Sequence, residues 1–355
     1  MLPRRILVIH LNRVGDILLT TPAVSYLRRL FGQAQIDFLV DRNFRELLEG
    51  NPDLTDVLIF PKKQPWQLPG LVAGRRYDWV VDFLANGSSA WACLVSGAPV
   101  RAAFHNNYPG LIHNLKIQPP GHPMYAALLK LHLIYGLCQK LGITAPQPVA
   151  GDCGLKLNLE PGRKELWKEV LERSGYKQEG RPLVMLSPQS RRVTRQWRPG
   201  GFAETARELI QKHRATVVCL WGPEERETAL EIIRQTGHPD IRIAPEFKNL
   251  KDLAAYISHA DCLITNCNGA KHIAVAAGVA TVTIHMSSNP IAWNPPGADG
   301  GPWHSKHPIA RLENLHCIGC QKNVCPYSLE CSKDLPASAV TQAVTELLSN
   351  IGVAS

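Results

Sequence analysis

The sequence predicts an α/β protein built of two Rossmann-like domains, with parallel sheets facing a central cleft. Three observations predict it. Short apolar runs alternate with helical patterns through both halves, a Pro- and Gly-rich stretch interrupts the alternation near the middle, and 355 residues exceed one ordinary core. The composition, 45% hydrophobic and 19% charged, is that of a globular chain. Disorder would need fewer apolar residues and more net charge.

The first element is the most informative. Residues 6–9 are an unbroken apolar run that reads as a buried strand, and NRVGD follows as a tight turn. Ile17, Val24, Leu27, Leu30 and Phe31 then recur at helical spacing, which predicts one amphipathic helix opened by Asp16. Open α/β sheets bind ligands at the carboxyl ends of their strands, so Gly15 lets the chain turn there and Asp16 projects into a crevice. Asp is also favoured at helix starts as a cap, and the residues alone leave both readings open.

Runs 36–40, 57–60 and 79–83 read as further buried strands, with a Pro-rich loop opening at Lys62 and Lys63. A helix is predicted over 126–141 with Gly142 as its stop. Pro146, Pro148, Gly151, Gly154 and Pro161 mark a linker. Domains are accordingly expected at 1–155 and 156–335, with a C-terminal helix in 336–355 packing back on the first domain. The second domain takes strands at 183–186, 216–221, 241–244, 262–265 and 281–284.

The net charge of +9 asks for an acidic partner: nucleic acid, an anionic membrane surface or a phosphorylated substrate. Lys and Arg are spread along the whole chain rather than gathered in a stripe, which argues against nucleic acid. The uncharged run 83–100 is broken by Asn86, Gly87, Ser88, Ser89, Gly97 and Pro99 and does not read as membrane-spanning. Arg4, Arg5 and the apolar run imitate a signal peptide, but His10, Asn12, Arg13 and Asp16 interrupt it too early. A cytoplasmic setting is expected, in which the ten cysteines stay reduced.

Three strand ends of the second domain carry chemistry. Strand 262–265 runs into NCNGAKHIAVAAG, where Gly269 opens a helix and Lys271 and His272 occupy its first turn, the outline of an anion site. After 183–187 comes PQSRRVTRQW, with Ser190, Arg191, Arg192 and Arg195, groups that suit a diphosphate. After 216–221 comes GPEERE, which places Glu224 and Glu225 in a first helical turn, where a carboxylate suits a ribose or a base edge. Each alone has a bland alternative, an ordinary turn or a solvated loop, but all three fall at strand ends of one sheet.

These motifs resemble a known family, the ADP-heptose:lipopolysaccharide heptosyltransferases, a two-domain GT-B group. The resemblance runs from RVGDILLTTPA through SRRVTRQWRPGGF, WGPEERE and NGAKHIAVAAG to WNPPG at 293–297 and a late cysteine cluster. It implies inverting transfer of a heptose from ADP-heptose to a phosphorylated, lipid A-linked lipopolysaccharide core. On this resemblance Asp16 matches the general base, Ser190 and Arg195 donor-phosphate contacts, Glu224 a ribose contact, and Gly269 and His272 the donor loop. Arg191, Asn268 and Lys271 are expected to join the donor site, and Arg13, Lys62 and Lys63 to receive the acceptor, with peripheral contact to an anionic membrane surface.

Two departures stand out. Cys267 occupies the position five before the loop histidine where the family usually has Asp, and Arg195 stands where Lys is frequent. A thiol cannot replace a carboxylate acceptor, so either a flanking asparagine substitutes or the donor differs. No cofactor is expected for catalysis, since Asp-x-Asp, which holds the cation of metal-dependent sugar transferases, is absent. Cys317, Cys320, Cys325 and Cys331 can hold a structural zinc as thiolates or stand as reduced thiols in a loop. Beside the heptosyltransferase, two other functions fit: transfer from another nucleotide sugar on the same fold, and a non-catalytic nucleotide- or carbohydrate-binding homologue.

Overall fold

The computed structural model describes residues 2–105, 112–297 and 304–353. The chain divides into two compact units, Met1–Asn158 and Leu159–Ser355. The first holds strands β1 (Arg5–Ile9), β2 (Gln35–Val40), β3 (Asp56–Ile59), β4 (Trp79–Asp82), β5 (Val100–Phe104) and β6 (Leu115–Ile117) in the order β3-β2-β1-β4-β5-β6. The second holds β7 (Leu183–Ser187), β8 (Thr216–Cys219), β9 (Ile241–Ile243), β10 (Cys262–Asn266), β11 (Ala280–Ile284) and β12 (Ile309–Ala310) in the order β12-β11-β10-β7-β8-β9.

Every pairing in both sheets is parallel. Helices cover sheets of this kind on both faces, which is why the central strands read as continuous apolar runs: β7, β10 and β11 are buried at every residue. In each unit the first strand sits mid-sheet and the chain builds outward on one side before crossing to the other. The switch point lies between β1 and β4 in the first unit and between β7 and β10 in the second. Loops leaving the carboxyl ends of those strands are where such sheets bind ligands.

Three corrections follow. The helix expected after NRVGD is two helices, Val14–Leu18 and Thr21–Leu30. Pro22 has no N–H for the Leu18 carbonyl, and the Thr21 hydroxyl donates to that carbonyl instead at 2.7 Å. The helix expected to start at Glu224 begins at Arg226. The C-terminal helix, Ala337–Asn350, expected against the first domain, instead places Val340, Val344, Leu347 and Leu348 in the second unit's own core. There it packs on β10–β12 and on the helix Pro199–His213. Strands β5, β6 and β12 were not foreseen.

Candidate active site

At the first switch point, β1 leads through His10–Asn12 to Arg13, which precedes the helix Val14–Leu18 with φ 71°, a backbone conformation that side chains rarely adopt. Asp16 occupies the first turn of that helix, half-buried, and no side chain caps the helix. Among the described residues its carboxylate accepts no hydrogen bond; only its backbone carbonyl is engaged, by Thr20 Oγ1 at 2.7 Å and Lys130 Nζ at 3.0 Å. A capping role would have consumed the carboxylate. It is left for other chemistry.

Lys130 is the residue that sequence reasoning missed. It lies in the helix Ala126–Lys140, buried, and its ammonium also donates to Thr20 Oγ1 at 3.0 Å. Burial pulls its pKa down to about 8, with Asp16 as the countercharge opposing that shift. Burial, helped by Lys130, also holds His10 well below the ordinary imidazole value, so it is neutral at pH 7. The signal was present: one lysine inside AALLKLHLIYG, at a position where every neighbour on the buried face is apolar. Arg13, Lys62 and Lys63 are exposed on loops after β1 and β3, and none has an ion-pair partner among the described residues.

The second switch point is held together by two asparagines. Asn268 caps the helix Gly269–Ala276: its Oδ1 accepts from Lys271 N and Thr265 Oγ1, both at 3.1 Å. Its Nδ2 donates to Ser187 Oγ at 2.9 Å and Gln189 O at 2.7 Å, tying the loop after β10 to the loop after β7. Asn266 does the same from the other side, accepting from Trp197 N at 3.1 Å and donating to the Pro188 carbonyl. Both amides flanking the buried Cys267 are therefore engaged, by backbone groups and by the Thr265 and Ser187 hydroxyls.

Asn268→Ala is expected to cost about 2–3 kcal/mol, the loss of a cap plus stranded polar groups. A shift in the urea midpoint checks this; a cost below about 0.5 kcal/mol would mean the tie is idle.

The remaining groups separate into two sets. Arg195 ends the short helical turn Val193–Arg195 with its guanidinium 5.8 Å from the Trp293 ring centroid, and among the described residues it makes no side-chain hydrogen bond, with Nε buried. Arg191 is exposed, Ser190 is buried and, among the described residues, its hydroxyl donates no hydrogen bond and the N–H groups of Gly269 and Ala270 at the helix start are unbonded. These are anion-binding groups not consumed by the fold.

Lys271 is the other case and corrects the expectation that it lends its charge to a diphosphate. It is 0% exposed, with Nζ donating to the Trp293 carbonyl at 2.6 Å, and burial draws its pKa down to about 8. It anchors the helix Pro290–Trp293, against whose Trp293 ring His272 packs edge-on. Glu224 lies outside any helix, exposed and at φ 66°, while Glu225 folds back on Gly222 N at 2.9 Å. A non-glycine residue at positive φ stores roughly 1–3 kcal/mol, so the turn after β8 carries local backbone strain.

The late cysteines lie near one another without closing on a common centre. Cys325, Cys317 and Cys320 lie close enough to Cys331 to add to the burial that raises its thiol to about 11, and Cys325 Sγ accepts from Tyr327 N at 3.3 Å. Among the described residues, however, no three of their sulfurs come within 4.8 Å of one another, which a tetrahedral zinc would require.

The model of glycosyltransferase family 9 (heptosyltransferase) matches residues 70–330. The chain belongs to this family. The family 9 match takes in every second-unit loop described above, while Asp16 lies upstream of it. Lipopolysaccharide core heptosyltransferase OpsX of Haemophilus influenzae is 22% identical over 314 residues, 82% of this chain and 82% of that protein. Among solved structures, a family 9 glycosyl transferase from Veillonella parvula superposes with TM-score 0.79 at 19% identity, over 98% of this chain and 97% of that one. The ADP-heptose LPS heptosyltransferase II of E. coli superposes with TM-score 0.76 at 19% identity, over 98% and 99%. The fold is thus the GT-B class of two parallel α/β sheets, as the sequence predicts.

Proposed function

We propose that this family 9 glycosyltransferase moves a heptose from ADP-heptose to a lipid A-linked lipopolysaccharide core, inverting the anomeric carbon. One observation carries the reading: both switch-point loops keep chemical groups that the fold leaves unused, a carboxylate in one unit and a guanidinium and a helix N-terminus in the other. Asp16 takes the proton of an acceptor hydroxyl as its oxygen bonds to the anomeric carbon, which requires contact at about 2.6–3.2 Å. The bond from that carbon to the diphosphate breaks in the same displacement, and ADP leaves with the electron pair. Arg195, with Ser190, Arg191 and the N–H groups of Gly269 and Ala270, absorbs the charge that develops on the diphosphate. Glu224 receives the ribose hydroxyls, and His272 lines the donor loop. No step calls on a metal ion.

Binding of ADP to the native chain stabilises it by about 2.7 kcal/mol at a free concentration one hundred times Kd. Thermal unfolding with ADP and other nucleoside diphosphates measures this. A chain that none of them protects would be a non-catalytic homologue. Protection by a different nucleotide in preference to ADP would favour the second reading, transfer from another sugar donor, which Cys267 and its two engaged neighbours support.

The acceptor is lipid-linked, and we place the chain in the cytoplasm against the inner face of the cytoplasmic membrane. No helix among the described residues is long and apolar enough to cross a membrane. Lys62 and Lys63 are exposed, and Trp66 beside them is 70% exposed, a basic and aromatic pairing suited to an anionic interface. Co-sedimentation with phosphatidylglycerol vesicles is expected to fall as salt rises and to lose about 1 kcal/mol for each lysine removed. Binding indifferent to salt or to anionic lipid would contradict the assignment. The late cysteines take a structural role in this reading, and elemental analysis of the purified chain decides whether zinc accompanies them.

A further inference from the structure

In the first unit, apart from the groups assigned to transfer, three side chains converge in the protein interior. Asp82 ends β4, Cys93 lies in the helix Gly87–Val95, and His113 precedes β6. They are 1%, 0% and 4% exposed. His113 Nε2 is 3.0 Å from Asp82 Oδ2 and 3.6 Å from Cys93 Sγ, and Cys93 Sγ is 3.7 Å from the same Asp82 oxygen. Among the described residues this is the one set of three such ligand atoms within 4.8 Å of one another.

The shape of that triangle is informative. A nucleophilic triad would place the carboxylate on one imidazole nitrogen and the thiol on the other. Here both partners approach the same nitrogen. Zinc bond lengths in a tetrahedral site put ligand atoms about 3.3 Å apart for nitrogen and oxygen, and about 3.5 Å apart from sulfur to either. The observed separations, 3.0, 3.6 and 3.7 Å, match one face of such a tetrahedron to within a few tenths of an ångström.

The backbone around each ligand is fixed independently. Asp82 Oδ1 accepts from Leu84 N and Ala85 N, both at 2.9 Å, which turns Oδ2 toward the other two groups; the turn that aims both N–H groups holds Ala85 at φ 46°. Asn86 and Ser89 form a capping box at the start of the helix that carries Cys93. The Arg101 guanidinium donates to Ala98 O and Ile112 O, both at 2.6 Å, and Arg101 N donates to Asn114 Oδ1 at 2.8 Å, holding the chain on either side of His113. Outer contacts of this kind orient the ligands of a metal site before the metal arrives.

The geometry points to a structural metal site at Asp82, Cys93 and His113 for a divalent transition ion of the zinc class. Thiolate, imidazole and carboxylate together suit zinc and its substitutes and disfavour magnesium or calcium. On binding, Cys93 gives its thiol proton to solvent and His113 coordinates through Nε2 as neutral imidazole, its ring proton residing on Nδ1; no electrons change hands. The ion fastens β4, a covering helix and the approach to β6 to one another. Asp82 pairs in register with Ile9, the last residue of β1, so the fastening sits at the switch point from which the Asp16 loop departs. The site stands whether or not the transfer reading does.

Cobalt titration of the full-length chain, stripped with EDTA and dialysed, tests it. A chain carrying Cys317→Ser, Cys320→Ser, Cys325→Ser and Cys331→Ser is expected to take up one equivalent of Co²⁺, with a thiolate-to-cobalt charge-transfer band and a raised Tm. Adding Cys93→Ala abolishes the band, and adding His113→Ala weakens Kd by at least about 100-fold. Failure of the folded four-serine chain to bind cobalt, or a band that survives Cys93→Ala, overturns the proposal and leaves a triad joined by protons alone. If the four-serine chain does not fold, the unmodified chain is compared with Cys93→Ala: the loss of one equivalent supports the site, and an unchanged stoichiometry overturns it.

Discussion

Asp16→Asn is expected to leave the chain folded and able to bind ADP while lowering turnover by about 10²–10⁴-fold, the range a positioned general base contributes. The amide keeps the shape of the carboxylate but cannot accept the acceptor's proton. The backbone carbonyl that holds Lys130 and Thr20 is untouched, so the loop stays in place. The lost charge at a helix start costs about 0.3–1 kcal/mol of stability, too little to unfold a domain. Single-turnover rates with saturating donor separate chemistry from binding. Substantial turnover by the variant would take the base role away from Asp16.

Arg195→Ala is the second large effect. Its guanidinium makes no hydrogen bond among the described residues and rests on Trp293, so the fold loses only about 0.5–1 kcal/mol of cation–π contact. Catalysis loses a preorganised donor aimed at the leaving diphosphate, worth about 3–4 kcal/mol or 10²–10³ in kcat. Arg195→Lys is expected to recover part of that, since an ammonium supplies the charge without the bidentate fork. Steady-state kinetics for both variants check the order. An alanine variant with kcat near that of the parent, or a lysine variant no better than alanine, would show that the diphosphate is held elsewhere.

Much of the fold was legible because parallel strands buried on both faces are predominantly apolar. That rule finds β1, β2, β7, β10 and β11, and the turns that follow them locate Asp16, Ser190, Arg195 and Gly269 at strand ends. It fails for β5, whose VRAAF contains a guanidinium turned to carbonyls, and for β12, only two residues long. The break before Thr21 was written in Pro22, but helical spacing on both sides of it concealed the interruption.

Side-chain direction was the harder matter. Lys271 belongs to a first helical turn, where exposure is the ordinary expectation, yet the cap at Asn268 turns that position inward toward Trp293. Lys130 and the Asp82–Cys93–His113 set arise from contacts across 11 to 114 positions of chain, which no local pattern encodes. The late cysteines show the reverse: a finger-like first pair in sequence, yet no three sulfurs within 4.8 Å of one another among the described residues.

The most direct measurement of the central claim is the mass of the product. Purified chain incubated with ADP-heptose and a truncated, lipid A-linked core is expected to add one heptose residue to the acceptor and release one ADP, and the Asp16→Asn chain to add almost none. An acceptor that stays unmodified with ADP-heptose, or is extended equally well by both chains, would contradict the account.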